Sequence, residues 1–290
     1  SYEIIKIKAR INSMNIAIIG LGLIGGSLAK AIKLHTGHKV YAVDKNPAVL
    51  SAAVDCGAAD AAISDTKQLD AMDVVIVCLY PGDTVDFVRN NAGNFKSGGI
   101  VIDTCGIKSE ICSELNDIAA KNGFCFIGAH PMAGSEKSGF GASKADLFNG
   151  ASFIITPADD SSTAVKLISD LALQIGFGCV VTATPEYHDR MIALTSQLPH
   201  VLACSYVLDP DAEHHMGFSG GSFRDVSRVA EINDKLWSEL FLKNSAPLIE
   251  KIDSLINNLS LFKEYISCGD SEKLCCLLAS AREKKESIDK

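Results

Sequence analysis

The segment His130-Pro131-Met132-Ala133-Gly134-Ser135-Glu136-Lys137-Ser138-Gly139 gathers an imidazole, a carboxylate, two hydroxyls and one ammonium group, with little in it to fill a core. It directly follows an apolar run, Phe124 to Ile127, of the kind that forms a buried strand. A neutral imidazole can take the proton of an alcohol while hydride leaves the same carbon. The alternative for His130 alone is a strand-end histidine bonded to a loop. A second group lies downstream, where Arg224 and Arg228 stand four apart and share a helix face. A guanidinium fork can hold both oxygens of a carboxylate, although Asp225 or Glu231 could equally pair with these arginines at the surface. Gly217, Gly220 and Gly221 just upstream point to a loop shaped around something. His200 follows Pro199 in a helical pattern and reads as readily as a core histidine. His188 beside Asp189 reads as a pair on a helix surface, and Trp237 as a core anchor.

A third group is Gly20-Leu21-Gly22-Leu23-Ile24-Gly25, a G-x-G-x-x-G turn between a β-branched apolar run, Ile16 to Ile19, and an amphipathic stretch, Ser27 to Leu34. In that context the first glycine allows the tight turn, the second lets a pyrophosphate approach the backbone, and the third lets helix and strand pack closely. The helix N-terminus then offers amides and its positive dipole end to the phosphates. Asp44 ends the next strand, nineteen residues after Gly25, where an acid meets the adenosine ribose hydroxyls. An acid there repels a 2′-phosphate, so NAD is expected over NADP, with Lys45 the one neighbour pulling the other way.

These groups must be positioned by a larger framework. Further apolar runs at Val40–Val43, Val74–Tyr80, Ile100–Thr104, Phe124–Ala129 and Phe153–Thr156 alternate with helical patterns. That alternation predicts a Rossmann-type doubly wound α/β fold with a mostly parallel sheet. Ligands in such sheets bind beyond the carboxyl ends of the strands. The loop from His130, the Asp103–Lys108 segment and Tyr80-Pro81 therefore share one rim with the glycine turn. Tyr80 and Asp103 join the expected cofactor-binding residues. Beyond Pro185 only helical spacing is visible, at Tyr187–Leu208, Phe223–Ile232, Lys235–Leu242, Ala246–Ile266 and Ser271–Ser287. The expected organisation is a dinucleotide-binding domain over 14–184 and an all-helical domain over 185–290. Residues 1–13 read as a non-native leader before Met14.

The chain has 290 residues and a net charge of −8, which argues against a nucleic-acid partner. The apolar runs are too short to span a bilayer. The ten cysteines include no CxxC pair and mostly sit in apolar stretches, as reduced thiols used as small hydrophobes in the cytoplasm would. No clustered set proposes a metal.

Taken in order, GLGLIGGS, IDTCGIKS, GAHPMAGSEKSG, SQLPH and GGSFRDVSRVA resemble the prephenate and arogenate dehydrogenases of tyrosine biosynthesis, with HPMAGSEKSG the most specific part. The resemblance implies a nicotinamide-dependent oxidation and decarboxylation of a cyclohexadienol to a phenol. It implies that His130 assists deprotonation of the ring hydroxyl, that Arg228 binds a substrate carboxylate, that His200 lies near the substrate side chain, and that Ser135 and Glu136 line or gate the pocket. Two positions depart from the family pattern. Gly106 stands where many members have a serine, and Gln197 where many have a histidine. Both are kept among the expected substrate-binding residues. The expected reaction is NAD-dependent conversion of prephenate to 4-hydroxyphenylpyruvate. The alternatives are the same reaction on arogenate, a 3-hydroxyacid dehydrogenase, and a non-catalytic nucleotide-binding regulator. A homodimer through the helical domain and competition by L-tyrosine at the active site are further expectations.

Overall fold

The computed structural model describes residues 13–135, 137–159 and 162–288. Of the expected features, Glu136 and all of the leader except Ser13 lie outside the described residues.

Eight strands form one sheet: β1 (Asn15–Ile19), β2 (Lys39–Val43), β3 (Ala61–Ala62), β4 (Val74–Val77), β5 (Ile100–Asp103), β6 (Cys125–Pro131), β7 (Ser152–Pro157) and β8 (Cys179–Thr182). Their order is β3-β2-β1-β4-β5-β6-β7-β8. Neighbours run parallel from β3 through β6, β7 is antiparallel to β6, and β8 is parallel to β7. The reversal has a local cause. A parallel neighbour needs a crossover, usually a helix, and among the described residues the β6–β7 link carries only the short 3₁₀ turn Phe140–Ala142. The β7–β8 link carries the helix Thr163–Gln174 and restores the parallel sense.

Side-chain alternation divides the interior into two layers. On β1, Ile16 and Ile18 point into one core and Ala17 and Ile19 into the other. The first core is closed by Leu28, Ala29 and Ile32 of the helix Leu23–His35 and by Ile168 and Leu171 of Thr163–Gln174. The second is closed by Val85 and Val88 of Pro81–Asn91, by Ile111, Leu115 and Ala119 of Ser109–Asn122, and by Leu240. Burial on both faces explains why the central strands read as continuous apolar runs. After β1 the chain winds to β2 and β3 on one side, then crosses to β4 on the other. The carboxyl ends of β1 and β4 therefore flank the crevice where such sheets bind ligands.

The chain forms two compact units. The first runs to Ile192 and resumes at Glu231–Lys243; the second comprises Ala193–Ala230 and the residues from Asn244 onward. The sequence reading placed the boundary at 184. The difference arises because the helix Pro185–Ile192 buries His188, Asp189 and Ile192 within the first unit. The helix Asp234–Lys243 likewise contributes Leu240 to the second core of that unit, with Leu236 and Trp237 packed against it. The second unit carries the helices Leu198–Val207, Gly221–Ser227, Ser245–Cys268 and Ser271–Ile288. Ile249, Ile256, Leu259 and Ile266 on the longest of these are exposed. Among the described residues no helix is long and apolar enough to cross a membrane.

Candidate active site

The glycine turn follows β1 as the spacing requires. Gly20 has φ +85°, and a Cβ there would come within 2.7 Å of the Cys78 carbonyl oxygen and Leu79 Cδ2. A Cβ on Gly25 would collide with the Gly20 carbonyl oxygen. These two glycines serve the protein's own packing. Gly22 differs, because a Cβ there would meet no protein atom within 4 Å. Glycine at that place leaves open a backbone approach that the protein itself does not fill. The helix Leu23–His35 starts immediately after, with no side-chain cap on its first turn. An uncapped helix start beside open backbone suits a phosphate. Leu23 and Ile24 begin that helix, and Leu21 ties the turn to β2. Its N–H donates to Asp44 Oδ2 at 2.8 Å, and Asn46 N–H donates to Oδ1 at 2.9 Å. The carboxylate is thereby aimed, and each oxygen retains acceptor capacity for a hydroxyl. Tyr80 stands immediately before the helix Pro81–Asn91, and its phenol oxygen accepts from Asn233 Nδ2 at 3.2 Å. Glu239 accepts the Gly82 N–H at 2.8 Å. The segment Glu231–Lys243 thus braces the rim.

His130 is half-buried near the end of β6. Its Nδ1 lies 2.9 Å from His188 Nε2, and His188 Nδ1 lies 2.8 Å from Asp189 Oδ1. The rings meet edge to face, with centroids 5.1 Å apart. Asp189 is fixed by the start of the helix Ser109–Asn122, since its carboxylate accepts the Lys108 N–H at 2.7 Å and the Ser109 N–H at 2.8 Å. Burial opposes its charge, but the bonds from His188 and Ser109 outweigh that and hold its carboxyl below the usual range. Burial pushes His188 down, assisted by the Lys108 cation and opposed by Asp189. Burial pushes His130 well below the ordinary imidazole value, with His188 and Lys108 acting the same way and Asp189 against. These influences all favour the uncharged imidazole at His130 except the pull of Asp189.

Beneath it lies an ion pair sealed from water. The Lys108 ammonium meets Asp103 Oδ2, with the two side chains 1% and 0% exposed. Asp103 also accepts the N–H groups of Cys105 and Ala129 at 2.9 and 3.0 Å. Burial works against the Lys108 charge, yet Asp103 and the nearby thiols outweigh it and raise its pKa. Gly128 makes room for this pair, because a Cβ there would strike Thr156, Cys112 and Lys108. Burial also raises the thiols around it, Cys78 to about 12 and Cys112 to about 11, and keeps them protonated. Cys56, Cys179, Cys268, Cys275 and Cys276 are exposed. The reading of cysteines as small core hydrophobes therefore holds for only some of them, since apolar neighbours in sequence do not ensure burial.

The first unit brings together the glycine turn, Asp44, Tyr80, Gly106 and His130. Two expectations are corrected. Asp103 was expected to touch the cofactor, but its side chain is wholly enclosed and committed to Lys108 and two backbone amides. Gln197 was expected at the substrate; it is 1% exposed, and its Oε1 accepts from Asn244 Nδ2 at 2.7 Å inside the second unit. Ser135 is exposed and accepts the Lys137 N–H at 3.2 Å. In the second unit His200 Nδ1 donates to the Val229 carbonyl at 2.7 Å, which sets the ring beside Arg228. Burial first, then Arg228, lowers the His200 pKa against the opposing pull of that carbonyl.

His188 and Asp189 were read as a surface pair, and that is corrected too, for they are 2% and 3% exposed. The signal was available, since 188, 189, 192 and 193 fall on one face at helical spacing and Ile192 and Ala193 are apolar. At the departure from the family pattern, a Cβ on Gly106 would lie 3.6 Å from Leu240 Cδ2 and 3.8 Å from His130 Cε1. These are ordinary contacts. Gly106→Ser is therefore expected to fold normally and to melt within about 3 °C of the parent. A large loss of melting temperature would contradict the spacing.

Comparison with known proteins agrees with this geometry. Residues 28–181 match the family described as prephenate dehydrogenase, nucleotide-binding domain, and residues 184–280 match prephenate dehydrogenase, dimerization domain. The chain is 29% identical over 284 residues to a prephenate dehydrogenase of Bacillus subtilis, covering 94% of this chain and 76% of that protein. It is 31% identical over 269 residues to a cyclohexadienyl dehydrogenase of Zymomonas mobilis, covering 90% and 91%. It superposes with TM-score 0.82 and 29% identity on a crystal structure of prephenate dehydrogenase from A. aeolicus in complex with hydroxyphenyl propionate and NAD+, covering 96% of this chain and 99% of that one.

Proposed function

The chain belongs to the prephenate dehydrogenase family, and from that membership we propose that it oxidises and decarboxylates prephenate to 4-hydroxyphenylpyruvate with NAD. The observation that carries the reading is a histidine, held by His188 at 2.9 Å, on the strand-end rim that also bears the dinucleotide turn. Gly22, the uncapped helix start at Leu23 and the Asp44 carboxylate fit the pyrophosphate and adenosine ribose. When bound, the nicotinamide supplies the hydride acceptor.

His130 accepts the proton of the ring hydroxyl as the adjacent C–H electrons depart as hydride. The ring carboxylate then leaves as carbon dioxide, and its bonding electrons close the aromatic ring. His130 returns the proton to the phenolic oxygen. Arg228, with His200 beside it, is assigned to a substrate carboxylate, and Ser135 and Glu136 to the pocket wall. Pairing through exposed apolar helices such as Ser245–Cys268 is supported by the matched dimerization domain. L-Tyrosine resembles the product and is assigned to the same pocket.

The test is NADH formation by purified protein supplied with NAD and, separately, prephenate and arogenate. Reduction with prephenate in clear preference is the expected result. Preference for arogenate would reassign the substrate, and a folded, NAD-binding protein inert on both would overturn the catalytic reading.

A further inference from the structure

The contacts of His130 contain more than its position. Asp189 offers only acceptors, and two of its lone pairs already receive the Lys108 and Ser109 amides. His188 Nδ1, 2.8 Å away, must therefore donate to it. A neutral His188 then has its lone pair on Nε2, and that atom faces His130 Nδ1 at 2.9 Å. His130 must carry its proton on Nδ1, which leaves Nε2 as its only acceptor. The order of causes runs from a helix start to a tautomer. The N-terminus of Ser109–Asn122 fixes Asp189, Asp189 fixes His188, and His188 fixes His130.

We propose that His188, held by Asp189, is the positioning residue that keeps His130 in the Nδ1–H tautomer and turns its Nε2 toward the substrate hydroxyl. The arrangement has the logic of a carboxylate orienting a catalytic imidazole, with a second imidazole interposed. When Nε2 takes up a proton, the Nδ1–H bond to His188 strengthens, and the Asp189 carboxylate balances the new charge through His188. The other charged groups packed around this chain are Lys108 and Asp103, which pair with one another, Lys108 still lowering the pKa of both histidines. The proposal rests on His130 being the base, as put forward above.

Two measurements test it, the first independent of turnover. Nitrogen-15 spectra of histidine-labelled protein, with His130 assigned by its loss in His130→Gln, are expected to show a protonated Nδ1 and an unprotonated Nε2. The reverse pattern would overturn the proposal. Second, His188→Ala is expected to lower kcat about a hundredfold, with KM for prephenate and NAD within about twofold. Imidazole added to the buffer should restore part of the loss, and so should His188→Gln, whose amide oxygen can accept from Nδ1–H. Undiminished kcat in His188→Ala, or a loss carried wholly by KM, would overturn the proposal. Should the alanine variant fail to fold, the wild-type spectrum still decides the matter. Absence of turnover in the parent alongside the expected tautomer would defeat the catalytic reading of His130 and leave its positioning established.

Discussion

His130→Asn is expected to reduce kcat by about 10³-fold, equivalent to about 4 kcal/mol of transition-state stabilisation, while NAD affinity stays unchanged. Asparagine can still bond the ring hydroxyl through its amide, but it has no nitrogen that takes up a proton. The glycine turn and Asp44 lie on other strands, so nucleotide binding should survive, as equilibrium titration would show. The same residue sets the pH profile. Only neutral His130 can act, so activity is lost as pH falls through its pKa. Burial, His188 and Lys108 all lower that pKa from its ordinary value of 6.5. The acid limb of kcat/KM for the wild type is therefore expected below pH 6.5 and should be missing from the residual rate of the variant. An acid limb above that value, or a variant that turns over normally, would remove His130 from the mechanism.

The largest effect on stability is expected from the ion pair beneath the site. Lys108→Met removes the cation and leaves the Asp103 carboxylate enclosed, with only the Cys105 and Ala129 amides to offset its charge. Breaking one half of a buried pair costs about 3–5 kcal/mol. In a unit of this size that lowers the melting temperature by on the order of 10 °C. The double variant Lys108→Met/Asp103→Asn should recover much of the loss, because no unpaired charge remains. Denaturant titration of the two variants beside the parent measures this directly. Equal stability of the single variant and the parent would show that water reaches Asp103. The single variant should also raise the acid limb of the rate profile, since Lys108 is one of the charges that lower His130.

Much of this arrangement is written in the sequence. The G-x-G-x-x-G turn, the acid at Asp44 and the alternation of apolar runs with helical patterns each depend on residues close together in the chain. Gly20 needs its positive φ and Gly25 its lack of a Cβ whatever else the chain does, so sequence determined the nucleotide turn and the strands that carry it. It also marked His130, because a polar, glycine-rich segment directly after a buried strand has no packing reason to exist.

Tertiary structure decided the partners. Whether Asp189 is a surface acid or the anchor of a hydrogen-bonded chain depends on Lys108 and Ser109, separated from it by 81 and 80 positions. His188 reaches His130 across 58. Likewise Asp103 lies at a strand end that pattern assigns to the ligand, yet Lys108 folds back over Gly128 and encloses it. Helical period could place His188 and Asp189 on a buried face. It could not say what that face met, because hydrogen bonds between elements distant in sequence are set only when the helix starting at Pro185 docks against the sheet.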